Sequence, residues 1–227
     1  MDTAKQPGLR ERKKERTRQL IADTARELFV ARGFDRVTVA EVARAADVAE
    51  QTVYNYFPTK EDLVFHRLES FEDELLDAIR SRPAGESVLD AFGRFVLQPR
   101  GLLADPTASE RLKPILRMIT ESPSLRERER QALARYTDAL AGLLAEETGA
   151  GPESIEPKVV ANALMGVHRA LLDFVRPRAL AGVPTKRLAR EVRAEGERAL
   201  AVLARGLGDY CCRTDSTLPA GSVNQAM

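Results

Sequence analysis

The side chains with the most chemistry to offer stand close together near the N-terminal end: Gln51, Thr52, Tyr54, Asn55, Tyr56 and Lys60, with Thr38 a little before them. They are amides, hydroxyls and one ammonium. Amide side chains can bond to base edges, and hydroxyls, phenols and lysines to phosphate oxygens. This is the chemistry of recognition. Nothing comparable points to catalysis: there is no nucleotide-binding loop, metal-ligand spacing or nucleophile motif. Cys211 and Cys212 are adjacent and fall in what reads as a tail, so they build neither a disulfide framework nor a metal cluster. His66 and His168 are too few and too far apart in sequence to suggest a metal site. The expectation is therefore no catalytic residues, no metal and no cofactor.

Bulk charge is uninformative, with a formal net charge of +1 over 227 residues. Its distribution says more. Between Lys5 and Arg18 seven bases face only Glu11 and Glu15, a local basic arm that can bind phosphate or can simply be solvated. No apolar run is long enough to span a membrane, and no apolar segment follows the basic start as in a signal peptide. A cytoplasmic protein is expected.

The sequence is helical in pattern nearly throughout, residues 50–57 included. An all-α fold is expected. Leu20, Ile21, Ala25, Leu28 and Phe29 recur at helical spacing in a first helix from about Arg10 to Arg32. Gly33 suits its end, and Phe34 can fold back onto Phe29. Thr38 and Glu41 form a capping box for a short helix to about Ala45. A turn over residues 46–49 leads to a second short helix, Glu50 to about Phe57, closed by Pro58. This is helix-turn-helix spacing. Asp47 stands at the tight turn, where it tolerates the left-handed conformation better than most residues. Val42, Val48 and Val53 make a miniature core, and Val53 and Phe57 are packing residues. An ordinary helical hairpin shares this spacing.

Thr59 caps the next helix, expected to run to Arg80. Further helices begin near Val88, before Leu112, at a second capping box Ser124–Glu127, at Pro157 and at Thr185. Pro114 is expected to bend or delimit its helix. The helix from Pro157 to about Val175 carries two apolar faces. One is the stripe Val160, Leu164, Val167, Leu171 and Phe174; the other is Ala161, Met165, His168 and Leu172. A helix with two apolar faces is buried on two sides, as a dimer interface would require. Gly166, Ala170 and Gly196 would permit close helix approach. Asn162, Arg169 and Asp173 lie on a further face, as part of a polar pocket or as a solvated pair.

Residues 17–67 resemble the DNA-binding domain of the TetR family of bacterial transcriptional regulators. The matching pattern is T-x-x-x-I-x-x-x-A-x-x-L-F from Thr17 to Phe29, then Gly33-Phe34 and Thr38-Val39-x-x-Val42-Ala43. It continues through Val48, Thr52-Val53-Tyr54-x-Tyr56-Phe57, Lys60 and Leu63. Asp47 departs from the usual glycine, and Ala49 from the frequent serine, which removes a possible helix cap.

The resemblance implies residue roles. Thr38 would cap and touch phosphate; Gln51, Thr52 and Asn55 would face the major groove. Tyr54 and Tyr56 would contact backbone or thymine methyls, the alternative for each being a half-buried packing residue. Lys60 would grip a phosphate. It also implies a layout: a flexible leader (1–9), a three-helix DNA-binding domain (10–60), a helical effector-binding and dimerisation domain (61–210) and a disordered tail (211–227). The partners would be a palindromic double-stranded operator, a small-molecule effector and a second copy of the chain, with no membrane. Candidate effector contacts are Phe92, Phe95, Met118, Tyr136, Asn162, His168 and Arg169. Candidate dimer contacts are Ala161, Met165, His168 and Leu172, with Ala199 and Leu203 from the last helix. The function implied is a repressor released from its operator by the effector. A helical enzyme, or a protein-interaction module that no longer binds DNA, are the other readings.

Overall fold

The computed structural model describes residues 8–65, 70–100, 103–105 and 107–207. The regular structure of the described residues is helical. The first helix, α1 (Leu9–Arg32), buries Ile21, Ala22, Ala25 and Phe29 along one side. It ends at Gly33, whose φ of 87° is open to glycine and costly for other residues. That bend lets Phe34 return edge-on to Phe29, with ring centroids 5.0 Å apart.

Two short helices follow, α2 (Val39–Ala45) and α3 (Glu50–Tyr56). The capping box is complete: the Thr38 hydroxyl accepts from the Glu41 amide at 3.2 Å, and the Glu41 carboxylate accepts from the Thr38 amide at 2.8 Å. Asp47 takes the left-handed conformation at φ 54°. Ala49 begins α3 without a side-chain cap. Val42, Val53 and Phe57 close the small core.

The next helix of the sequence reading falls into α4 (Asp62–Phe65) and α5 (Ser70–Arg80), on either side of residues 66–69, which lie outside the described residues with His66 among them. The expected leader (apart from residues 8 and 9) and the expected tail, with Cys211 and Cys212, lie outside them as well.

The larger body comprises α6 (Val88–Val96), α7 (Ser109–Glu121), α8 (Pro123–Thr148), α9 (Glu156–Leu180) and α10 (Thr185–Leu207), together with α5. Its main core joins α5, α6, α8 and α9. Pro114 is contained within α7. The expected box at Ser124–Glu127 does not form. Pro123 occupies the first helical position instead, where its missing N–H costs nothing and its fixed φ suits the helix. Helix α9 also runs past Val175 and through Pro177, which sits in its last turn. The small core around α2 and α3 does not close within residues 10–60. It takes in Leu63 and Phe65 of α4, Met118 and Ile119 of α7 and Leu125 of α8.

Helix α9 packs against α6, α7, α8 and α10, and this corrects the expected dimer face. Ala161 is 0% exposed and Met165 1%, both covered inside one protomer. Leu172 is partly buried against the same core, as are Ala199 and Leu203 of α10. Ala161 and Met165 of the second apolar face of α9 are thus covered by their own chain, whereas His168 and Leu172 stay partly exposed. Gly196 does permit a close approach: a Cβ there would collide with Leu97 and touch Leu171. Gly166 behaves differently, with open space where its Cβ would be.

Candidate nucleic-acid interface and internal cavity

Helix α3 presents one face that the rest of the protein leaves uncovered. Gln51 and Asn55 are exposed and hydrogen-bonded to each other, Gln51 Nε2 donating to Asn55 Oδ1 at 3.2 Å. Tyr54 is 43% exposed, too much for a core aromatic. Thr52 is half-buried, and Tyr56 half-buried and packed against the small core. Thr38 is exposed, but its hydroxyl is already committed to Glu41, donating to the carboxylate at 2.9 Å while accepting from the amide. The Glu41 carboxyl is held down to about 2, first by the Thr38 amide and then by Arg32 and the Thr38 hydroxyl.

The residue types alone do not show what surrounds the basic segment and Lys60. Helix α1 begins at Leu9, close to the expected Arg10, so the bases Arg12, Lys14 and Arg16 stand on a helix. They line a groove of about 790 Å³ whose other wall is Asn55 and Tyr56. Positive charge therefore sits beside the recognition face, as phosphate neutralisation requires. Lys60 is half-buried, its ammonium 4.2 Å from the centre of the Phe34 ring. Burial lowers its pKa, against the opposing pull of Asp35, Glu61 and Glu41.

The start of α4 is tied to the larger body. Thr59 and Asp62 cap each other, the Asp62 carboxylate accepting from the Thr59 amide at 2.9 Å and its hydroxyl at 2.7 Å. The second carboxylate oxygen accepts from Arg128 of α8, at 3.0 Å from Nε and 2.6 Å from Nη2. Asp62 is only 4% exposed. Burial pushes its carboxyl up, and the bonds from Thr59 and Arg128 outweigh that and hold it below its usual value.

From Glu129, next to Arg128, to Tyr136, α8 lines a partly open cavity of about 240 Å³. Its wall is mostly apolar and aromatic, with Phe71, Leu97, Tyr136, His168, Leu172 and Val192 prominent. Of the seven candidate effector contacts, Tyr136 and His168 are on this wall. The others are placed elsewhere. Phe92 is 0% exposed and Phe95 3%, both packing in the main core, and Met118 belongs to the small core around α2 and α3. Asn162 and Arg169 are exposed, Asn162 donating to the Lys158 carbonyl at 2.7 Å. Phe71 stacks on His168 with centroids 4.7 Å apart. His168 and Leu172 thus line a cavity of the protomer.

A three-helix unit that leaves one face of its third helix uncovered, mounted on a helical body with a largely apolar cavity, defines a helix-turn-helix DNA-binding regulator. Comparison with known proteins agrees. Residues 21–66 match the profile of bacterial regulatory proteins of the TetR family, and residues 86–207 match the MftR C-terminal domain. Among curated relatives, the transcriptional regulator TcmR of Streptomyces glaucescens is 38% identical over 86 residues, 38% of either chain. MftR of Mycobacterium tuberculosis, described as a mycofactocin biosynthesis regulator, is 29% identical over 163 residues, 69% of this chain and 78% of its own. The match thus spans well under half of TcmR and most of MftR. The solved complex of SmeT with triclosan shares the fold, with a TM-score of 0.54 at 18% identity, covering 93% of this chain and 98% of SmeT. The chain belongs to the TetR family of bacterial regulatory proteins. No helix of the described residues is long and apolar enough to cross a membrane.

Proposed function

We propose that this chain is a homodimeric repressor, working in the cytoplasm, that reads a palindromic operator through α3 and is released from it by a small molecule in the cavity. One observation carries this reading. The helix that lines the cavity also holds the recognition unit, because Arg128 of α8 grips Asp62 at the root of α4. A ligand that favours one position of α8 then favours one position of α3, and operator affinity follows from differential binding to the two. Gln51, Thr52 and Asn55 read bases, Tyr54 and Tyr56 approach backbone or thymine methyls, and Lys60 with the α1 bases meets phosphate. Thr38 acts chiefly as a helix cap. The relatives are transcriptional regulators rather than enzymes, in keeping with this division of labour.

The dimer surface is assigned to the face of α9 that its own protomer leaves open. Val159, Asn162, Gly166, Ala170 and Asp173 recur at helical spacing and include Val159 at 57% exposure. Val202 of α10 adds an apolar side chain at 71% exposure. Gly166 and Ala170 would let two α9 helices approach closely. Residues 10–60 are the DNA-binding part and 61–210 the effector and dimerisation part, with Leu63, Phe65, Met118, Ile119 and Leu125 as the seam.

Selection of the purified protein against random duplex DNA tests the reading. It should enrich a palindrome with half-sites about one helical turn, 34–36 Å, apart or a multiple of that. Enrichment of no sequence, or of a single asymmetric site, would contradict it.

A further inference from the structure

The cavity has a definite chemistry. The charged side chains at its edge are already engaged within the protein. Arg100 bonds to Glu74 at 2.5 Å and to the Phe95 carbonyl at 3.2 Å, with its guanidinium 3.6 Å from the Phe95 ring centre. Glu129 accepts from Arg176 at 2.7 Å. Neither sign of charge on a ligand would find an unengaged counter-ion among these groups.

His168 is different. Its ring lies on Phe71 at an interplanar angle of 24°, and Phe71 in turn lies 5.1 Å from Tyr136. Its ring nitrogens have no hydrogen-bond partner among the described residues. Burial pushes its pKa down to about 4, so at neutral pH the imidazole is uncharged. It therefore offers one N–H donor and one acceptor lone pair. A ligand group that bonds to this imidazole against the apolar wall gains a hydrogen bond with little competition from water.

Size narrows the class. The volume of about 240 Å³ exceeds the ~150 Å³ of an apolar cavity that admits benzene and falls short of the ~300 Å³ at which drug-sized sites begin. We propose that the cavity takes an uncharged, two-ring aromatic molecule carrying a hydroxyl or carbonyl, its rings against Phe71 and Tyr136 and its polar group on the His168 imidazole. The inference rests on the reading of this cavity as the effector site and names the ligand chemistry that the site selects.

The chain contains no tryptophan, so the emission of a bound naphthalene derivative can be followed directly. Full-length protein is titrated at neutral pH with 1-naphthol, naphthalene and 1-naphthoate. The expected order is 1-naphthol tighter than naphthalene by about three- to tenfold, the value of one net hydrogen bond, with naphthoate weakest. His168→Leu should erase the preference by weakening 1-naphthol while leaving naphthalene as tight or tighter. His168→Gln, which keeps a donor and an acceptor, should restore part of it and serves if the leucine variant misfolds. The proposal is overturned if neither neutral probe binds, if naphthoate binds as well as naphthol, or if the naphthol preference survives in His168→Leu. Operator release is read separately. His168-dependent naphthol binding that leaves the operator occupied would sink the effector reading and spare this one. Operator release by charged compounds only would do the reverse.

Discussion

The clasp between Asp62 and Arg128 joins the two halves of the protein, and its removal has a size that can be worked out. Arg128→Met keeps the length and helix preference of the side chain and deletes the guanidinium that donates twice to Asp62 Oδ1. Asp62 then remains 4% exposed with only the Thr59 bonds on its other oxygen. Hydrogen bonds between charged groups contribute about 1.5–3 kcal/mol each in favourable settings. The Arg128 side chain is 29% exposed, so water screens part of this and about 2 kcal/mol in total is expected. With a urea slope of about 2–3 kcal/mol per M, the midpoint should fall by roughly 1 M. The assay is urea unfolding followed by helical circular dichroism at one fixed protein concentration, since a dimer's apparent stability depends on concentration. Asp62→Asn and the double variant complete a cycle, and the coupling should exceed about 1 kcal/mol. Acid adds a check. The Asp62 pKa is depressed in the fold, so the clasp contributes fully above the ordinary carboxyl value of 3.8 and fades as pH falls through the folded value. An Arg128→Met midpoint within error of the parent, or additive single variants, would show that the clasp does not join the two halves.

Three further outcomes follow from the same geometry. Val202→Asp, on the open face of α10, should yield a folded monomer by light scattering, whereas Met165→Asp should unfold the protomer, because burying an unpaired carboxylate at a 1%-exposed site is heavily penalised; a folded Met165→Asp dimer would show α9 misread. The folded His168 takes up its proton only near pH 4 and the unfolded one near 6.5, so acid between these values favours unfolding. The parent should lose up to about 3 kcal/mol more than His168→Leu across that window, and parallel curves would contradict the assignment. Gln51→Ala and Asn55→Ala should each lose about 1–3 kcal/mol of discrimination at particular base pairs with helical content unchanged, whereas Lys60→Ala should weaken all sequences alike; unchanged base preferences in both amide variants would place α3 outside the groove.

Local chemistry was legible in the sequence where it is decided by near neighbours. The Thr38–Glu41 box, the left-handed Asp47, the uncapped Ala49 and the return of Phe34 onto Phe29 depend on residues a few positions apart. Burial at α9 was not legible in the same way. Periodicity shows that Ala161, Met165, His168 and Leu172 share a face, but not whether a partner protomer or the same chain covers it. That depends on where α6, α8 and α10 lie. The cavity is likewise a product of packing. Phe71 and Leu97 look like core residues in any helical pattern, and only the three-dimensional arrangement leaves space between them. Ser124–Glu127 misled because Pro123, with Ser122 at the N-cap position, offers a competing helix start two residues earlier.

Whether α3 and the basic face of α1 bind duplex DNA as a unit is read by fluorescence anisotropy on one enriched operator over a range of salt concentrations. Each phosphate neutralised should steepen log K against log salt by about 0.9. The parent should show a steep slope, the variant with Arg12, Lys14 and Arg16 replaced by Ala a shallower one, and Gln51→Ala an unchanged slope with lower affinity. A salt-insensitive complex, or a parent that binds operator no better than unrelated DNA, would contradict such binding.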